Sequence, residues 1–358
     1  MGQTSAENYT ELVRLVQERT TVEIRDGMEW VTKRIPDLDT VEELDPRVLA
    51  INNRPAPTTP ENPSIEFLRS MMGFDNIDVT ATEIGATSRA IHGTHGLIPV
   101  RIYTPLAGTK LPALVFFHGG GFFGGSLKTV ENPCKAIAER ANAVVISVDY
   151  RLAPECKFPV GFDDCFDAVK WVYQNAENIC VDREKIGVSG DSAGGNLAAV
   201  CSIKDRDLGT DMVKFQALIY PVLDLDRKEQ TEYTWSRDSY VISRDDQAEL
   251  IYRGLRMMEH FPLPSVYCEP SETTHRYVSP ILQSDLSGLP VTLIIAGEFD
   301  PLRIENEAYA KKLHRFGNRV KFIQYQGMDH AFIDKIGIYP QAEDCMSEIA
   351  KSMTMLFA

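Results

Sequence analysis

The chain has 358 residues, 44% hydrophobic and 25% charged, with a formal net charge of −14. This is a globular composition, which excludes a disordered or fibrous chain, and no Lys/Arg block stands against the acidity, which argues against nucleic acid as a partner. No apolar run approaches the roughly 18 residues needed to span a bilayer, so no membrane partner is expected either.

The first twenty residues are polar and acidic, without the apolar run of a signal peptide, and Ala6 stands where an N-myristoylation signal wants Ser or Thr. Residues 6–50 read as helical. Pro55, Pro57, Pro60 and Pro63 then mark a link of the kind that separates packed units. Strands are expected over 79–84, 99–103, 114–117, 143–148, 186–188, 217–220, 291–295 and 320–325. Helices are expected over 128–141, 161–176, 192–203, 303–316 and 340–356. Strands alternating with helices imply a mostly parallel sheet covered on both faces. Residues 223–262 break the alternation. They are polar, aromatic and helical over 245–258, and read as an insertion packed with the N-terminal helices. The expected division is therefore 1–50, an α/β body over 51–222 and 263–358, and the insertion 223–262. The cysteines Cys134, Cys156, Cys165, Cys180, Cys201, Cys268 and Cys345 are scattered, odd in number and without a C-x-x-C pair. They read as reduced thiols of a cytoplasmic protein, with no zinc cluster and no other metal site.

The strongest local signal is Gly190-Asp191-Ser192-Ala193-Gly194-Gly195, lying between a strand run and an Ala-rich helix. G-x-S-x-G at such a junction is a nucleophile elbow. The turn is too tight for side chains at Gly190 and Gly194. It exposes the Ser192 hydroxyl, and the Ala193 N–H at the helix start can donate to an oxyanion. His118-Gly119-Gly120-Gly121 follows the strand at 114–117, and its glycines let further backbone N–H groups approach a substrate carbonyl. The same residues offer a competing reading. Gly119-x-Gly121-x-x-Gly124 with Asp149 after the next strand matches a dinucleotide fingerprint. The following helix starts too late to receive a pyrophosphate, however, and Phe122 and Phe123 are bulky for a phosphate cradle.

Asp300 and His330 each follow a strand, so they emerge on the same sheet edge as Ser192. The order Ser, acid, His suits a catalytic triad. Asp329 is a rival partner for His330, but adjacent residues rarely bring a carboxylate to a neighbour's Nδ1, and Asp300 is preferred. His92-x-x-His95 falls in an expected turn with no third ligand nearby and reads as solvated.

These motifs in this order, with Asp149-Tyr150-Arg151-Leu152-Ala153-Pro154-Glu155, Phe158-Pro159, Tyr220-Pro221, Ser279-Pro280, Leu289-Pro290 and Asp300–Arg303, resemble the hormone-sensitive-lipase-like carboxylesterases of the α/β-hydrolase superfamily. The resemblance runs from about residue 78 to the C-terminus. It implies an α/β-hydrolase fold, with a mostly parallel eight-stranded sheet, helices on both faces and a helical cap built from 1–50 and 223–262. The cap would carry Trp30, Tyr233, Trp235, Tyr240, Tyr252 and Met257. The resemblance further implies Ser192 as nucleophile, His330 as base and Asp300 as its orienting acid. Gly120, Gly121 and Ala193 would be oxyanion donors, with His118, Gly119 and Asp191 as loop support. Asp149, Arg151 and Glu155 are taken as a charge cluster holding the loop under the oxyanion turn. The family is cofactor-free and often dimeric, so a homodimer is a possibility. Two positions depart from its pattern: Asn306 replaces a usual glycine, and Asp329 a usual apolar residue before the histidine. The function expected is a serine carboxylesterase that hydrolyses short- to medium-chain esters of small molecules through an acyl-enzyme. The alternatives are an amide or peptide hydrolase on the same triad and a non-catalytic small-ligand receptor on the same fold.

Overall fold

Unbroken apolar runs make the middle of the sheet. In the computed structural model these are Leu111–Phe117 (β5), Val144–Val148 (β6), Val181–Asp191 (β7), Phe215–Ile219 (β8), Val291–Gly297 (β9) and Val320–Tyr325 (β10). The structure describes residues 6–358 apart from 55–59, 61–62, 107, 109, 228–232 and 261. Pro55 and Pro57 of the expected link therefore lie outside the described residues, as do residues 1–5 of the stretch read for targeting signals. β6 and β8 are buried at every position, as strands covered on both faces must be. Pairing among β5 to β10 is parallel throughout.

Helices flank the sheet as the alternation requires. Val160–Gln174 (α5), Ala193–Leu208 (α6) and Arg303–Arg315 (α9) bury their apolar stripes in one core. Glu131–Ala141 (α4), Pro340–Phe357 (α10) and Ala6–Glu18 (α1) share the core on the opposite face. Crossovers place the carboxyl ends of β5, β7, β9 and β10 along one edge, and every segment that carries a chemical motif starts there.

Two expectations are corrected. Among the described residues the sheet has ten strands, in the order β1-β2-β10-β9-β8-β7-β5-β6-β4-β3. The extra pair comes from the stretch read as helical: Thr20–Arg25 (β1) and Met28–Lys33 (β2) form a hairpin, and β2 adds in parallel to β10. The cause is local. Thr20 to Arg25 alternates around β-branched residues, and the turn is Asp26-Gly27 with φ of 53° and 84°, the left-handed pair that a tight hairpin demands. Trp30 thus lies in the sheet with its ring 4.3 Å from that of Phe322, and not in a cap. Secondly, the strand expected at 79–84 begins where that range ends. Ile84–Gly93 (β3) pairs antiparallel with Gly96–Pro105 (β4), which pairs antiparallel with β6. β3 is exposed along most of its length, so it lacks the apolar run that reveals a buried strand.

Three short helices and one longer one complete the described chain: Pro46–Asn52 (α2), Ile65–Ser70 (α3), Asp245–His260 (α7) and Leu263–Tyr267 (α8). Asp45 and Ser64 cap α2 and α3 by accepting from Arg47 N and Phe67 N. The segment before α2 and the inserted segment meet. Gln247 Oε1 accepts from Leu44 N at 2.8 Å, and Ser243 Oγ donates to Glu42 at 2.7 Å.

Candidate active site

β7 ends at Asp191 and α6 begins at Ala193, so Ser192 makes the whole turn, with φ 54° and ψ −115°. A non-glycine residue is held there only when its surroundings dictate it. They do so sterically. A Cβ on Gly190 would lie 2.4 Å from the Gly194 carbonyl carbon, and one on Gly194 would lie 1.9 Å from Phe117 O. The Ser192 N–H donates to Ile219 O at 2.9 Å, and its carbonyl accepts from Asn196 N and Val222 N. The backbone is thus fixed by β8, the loop after it and the first turn of α6, while the hydroxyl points to the sheet edge.

The loops after β9 and β10 bring the other two side chains to it. Ser192 Oγ donates to His330 Nε2 at 2.9 Å, and His330 Nδ1–H donates to Asp300 Oδ2 at 2.8 Å. Asp300 is fully buried, and its second oxygen accepts from Leu302 N at 2.8 Å. Burial opposes charging of His330, but Asp300 beside it, with Asp191 and Asp329, offsets this and raises its pKa above the ordinary imidazole value. Tyr220 packs edge-on against the imidazole, 4.9 Å between ring centroids.

Asp329 is turned elsewhere. Its Oδ2 accepts from Asn52 Nδ2 at 2.9 Å, and its Oδ1 has no partner among the described residues. Asn306, the other departure from the family pattern, is buried and donates to Pro221 O at 2.7 Å, tying α9 to the loop after β8.

The glycine loop lies across from Ser192. Gly119 N donates to Asp191 Oδ1 at 2.8 Å, and a Cβ on Gly119 would meet the other oxygen of that carboxylate at 2.2 Å. Gly120 and Gly121 have φ of 122° and 60°. The Gly120 carbonyl accepts from Phe123 N and Gly124 N, which closes the turn. Among the described residues no acceptor meets the N–H groups of Gly120, Gly121 or Ala193. His118 is buried, stacks on Tyr150 and donates through Nδ1 to Gly119 O at 2.8 Å; its burial lowers its pKa, so it is a neutral strut.

The charge cluster expected of Asp149, Arg151 and Glu155 is corrected. Arg151 reaches away from the oxyanion loop to Asp164 and to the His95 and Leu97 carbonyls, pinning the β3–β4 turn. Glu155 pairs instead with Arg69 of α3, whose guanidinium also donates to Phe123 O and Ala153 O. Arg69 thereby ties the glycine loop to the loop after β6. His92 lies on β3 and is exposed, and His95 in the hairpin turn pairs with Asp163 at 3.0 Å. No group of three metal-ligating side chains occurs among the described residues.

Aromatic residues of the insertion fasten onto the acid loop. Tyr240 OH donates to Asp300 O at 2.8 Å, and Trp235 Nε1 to Pro301 O at 2.9 Å. Tyr233 OH donates to Asp224, and Tyr252 is partly buried beside the α4–α10 core. The Met257 side chain lies outside the described residues. Sequence reasoning missed a buried acid here. Glu305 accepts from Leu223 N at 2.7 Å, and burial pushes its carboxyl up to about 8. A Glu in a helix opening carries no sequence signal for that role.

The α/β-hydrolase fold profile matches residues 114–334. The carboxylesterase NlhH of Mycobacterium tuberculosis is 37% identical over 251 residues, which span 69% of this chain and 75% of that protein. The ethyl acetate hydrolase of Pseudomonas putida is 30% identical over 281 residues, 76% of this chain and 81% of that protein. The hyperthermophilic esterase of the archaeon Pyrobaculum calidifontis superposes with a TM-score of 0.66 at 40% identity, over 76% of this chain and 86% of that one. No helix among the described residues is long and apolar enough to cross a membrane.

Proposed function

This chain belongs to the α/β-hydrolase family, in its hormone-sensitive-lipase-like branch, and is a carboxylic ester hydrolase; we propose that it works through an acyl-enzyme formed on Ser192. One observation carries the proposal: the unbroken hydrogen-bond chain from Ser192 through His330 to the buried Asp300. His330 Nε2 takes the hydroxyl proton as Oγ adds to the ester carbonyl. The Nδ1–H···Asp300 bond fixes the tautomer that leaves Nε2 free to accept, and the carboxylate stabilises the imidazolium that forms. Negative charge developing on the carbonyl oxygen is taken up by the Gly120, Gly121 and Ala193 amides, which no acceptor among the described residues occupies. Gly119, locked to Asp191, and the His118 strut hold those amides in place. His330 then gives its proton to the leaving alkoxide. Water repeats the sequence at the acyl carbon and releases the acid.

The substrate class proposed is a short- to medium-chain ester. Trp235 and Tyr240 bring bulky groups of the insertion onto the acid loop beside the triad, and the likeness to an ethyl acetate hydrolase supports a small acyl group. Each methylene that still fits adds up to about 0.8 kcal/mol, and none beyond the end of the pocket. With nitrophenyl esters, kcat/KM is expected to rise from acetyl to a maximum between butanoyl and octanoyl and then to fall; a preference for palmitoyl would overturn the short-chain assignment. A cytoplasmic location is also proposed, supported by seven cysteines that are all unpaired. The decisive test of the mechanism is Ser192→Ala. It is expected to lower kcat by roughly 10⁴-fold or more while the fold persists. A variant that kept a tenth of the activity would remove Ser192 from the role.

A further inference from the structure

The Asp300–His330 bond joins two loops that leave neighbouring strands, so its geometry depends on what holds those loops in register. Besides that bond, three hydrogen bonds among the described residues cross between them. Two are main-chain: Glu298 N to Tyr325 O and Phe299 N to Met328 O, each 2.9 Å. The third comes from a side chain. Glu298, two residues before Asp300, accepts from Gly327 N at 2.8 Å, three residues before His330. Gly327 is confined on its other side as well. It has φ 73°, its carbonyl accepts from Asp45 N at 3.1 Å, and a Cβ there would meet that same nitrogen at 2.7 Å.

We propose that Glu298 is a positioning residue for the proposed triad: its carboxylate clamps the histidine loop to the acid loop and thereby sets the His330 Nδ1 to Asp300 distance. The inference rests on the assignment of those two side chains as base and orienting acid. The residue is partly buried. Burial pushes its carboxyl up to about 7, against the Gly327 amide and Arg303, which favour its ionised form, while Glu42 adds to the rise. Arg303 faces it from the start of α9, donating to the Glu298 carbonyl at 2.9 Å, and fixes the backbone from which the side chain reaches across. A loop shift of the order of 1 Å at the triad costs as much as about 100-fold in rate.

The test separates reach from charge. Glu298→Gln keeps an acceptor at the same place, whereas Glu298→Asp keeps the charge but is one methylene too short to bond Gly327. On a short-chain nitrophenyl ester, Glu298→Asp is expected to lower kcat by roughly 10- to 100-fold with KM changed less than about twofold. Glu298→Gln is expected to stay within about threefold of the parent. The downfield proton resonance of the His330 Nδ1–H bond should persist in the Gln variant and broaden or vanish in the Asp variant. Equal activity of the Asp and Gln variants, or an unchanged resonance in the Asp variant, would overturn the proposal. Should Glu298→Asp fail to fold, Glu298→Ala, which removes the acceptor for Gly327 N and adds no bulk, replaces it, and parental activity in that variant would overturn the proposal equally. None of these outcomes bears on Ser192→Ala, which tests the triad itself.

Discussion

Asp300→Asn changes little in shape and removes one charge, yet the structure makes it severe. Both oxygens of Asp300 accept N–H donors, from His330 Nδ1 and from Leu302 N, each at 2.8 Å, and the side chain is fully buried. An asparagine has one acceptor, so it can satisfy only one of them. If its oxygen stays with Leu302, its NH₂ faces His330 and drives the ring proton to Nε2, where it blocks transfer from Ser192. If its oxygen stays with His330, NH₂ and N–H collide at Leu302. Either way the tautomer that accepts the serine proton loses its support, and a loss of about 10⁴ in kcat, about 5 kcal/mol, is expected. Asp329→Asn is the matched control. Asn52 can still donate to the new amide oxygen, so less than about a tenfold loss in kcat is expected. Asp329 still contributes to raising the His330 pKa, so its removal moves the acid limb of kcat/KM to lower pH with the plateau kept. The assay is nitrophenyl ester hydrolysis across the acid and neutral range for both variants, with folding checked by circular dichroism. Asp300→Asn within tenfold of the parent, or Asp329→Asn the more damaging of the two, would refute the reasoning.

Gly194→Ala should yield little folded protein, because its Cβ would sit 1.9 Å from a backbone oxygen that no side-chain movement can clear; a normal melting temperature would contradict the elbow sterics. Glu305 carries a stability prediction. Its folded-state pKa of about 8 lies above the ordinary 4.5, so the folded form binds the extra proton and stability falls as pH rises from about 4.5 to about 8. Glu305→Gln keeps the acceptor for Leu223 N and removes the titration. In urea unfolding above the upper end of that window it should therefore exceed the parent by a few kcal/mol, while the two converge in acid; a variant less stable than the parent at alkaline pH would refute the assignment.

What was legible in the sequence was what local chemistry dictates. The buried strands declared themselves as apolar runs, and the elbow as two glycines around a serine; the clash distances at Gly190 and Gly194 give the physical reason that spacing is informative. The edges of the sheet were less legible. β3 is exposed along most of its length and has no apolar run, so the sequence does not mark where it starts. The β1–β2 hairpin did leave a signal, the Asp26-Gly27 turn between alternating residues. The helical pattern of α1 beside it is the stronger signal, and it masks both the hairpin and the place of Trp30 in the sheet.

Contacts between segments distant in the chain were the hardest to read, because a charge in a sequence names no partner. Arg151 and Glu155 lie four residues apart, yet one turns to Asp164 and the other to Arg69 across the glycine loop. The same limit applies inside the candidate site. Glu298 and Asp300 stand in one short run after β9, both carboxylates, both able to accept an N–H, and nothing in their spacing says which meets the imidazole. The bend of the loop decides. The Asp300 backbone N–H turns back to Gly297 O, sending Asp300 toward His330 and leaving Glu298 beneath, against Gly327. Under the proposed mechanism two like residues thus take different tasks, Asp300 orienting the base and Glu298 holding the loops over which it is oriented, each through its own hydrogen bond between neighbouring loops.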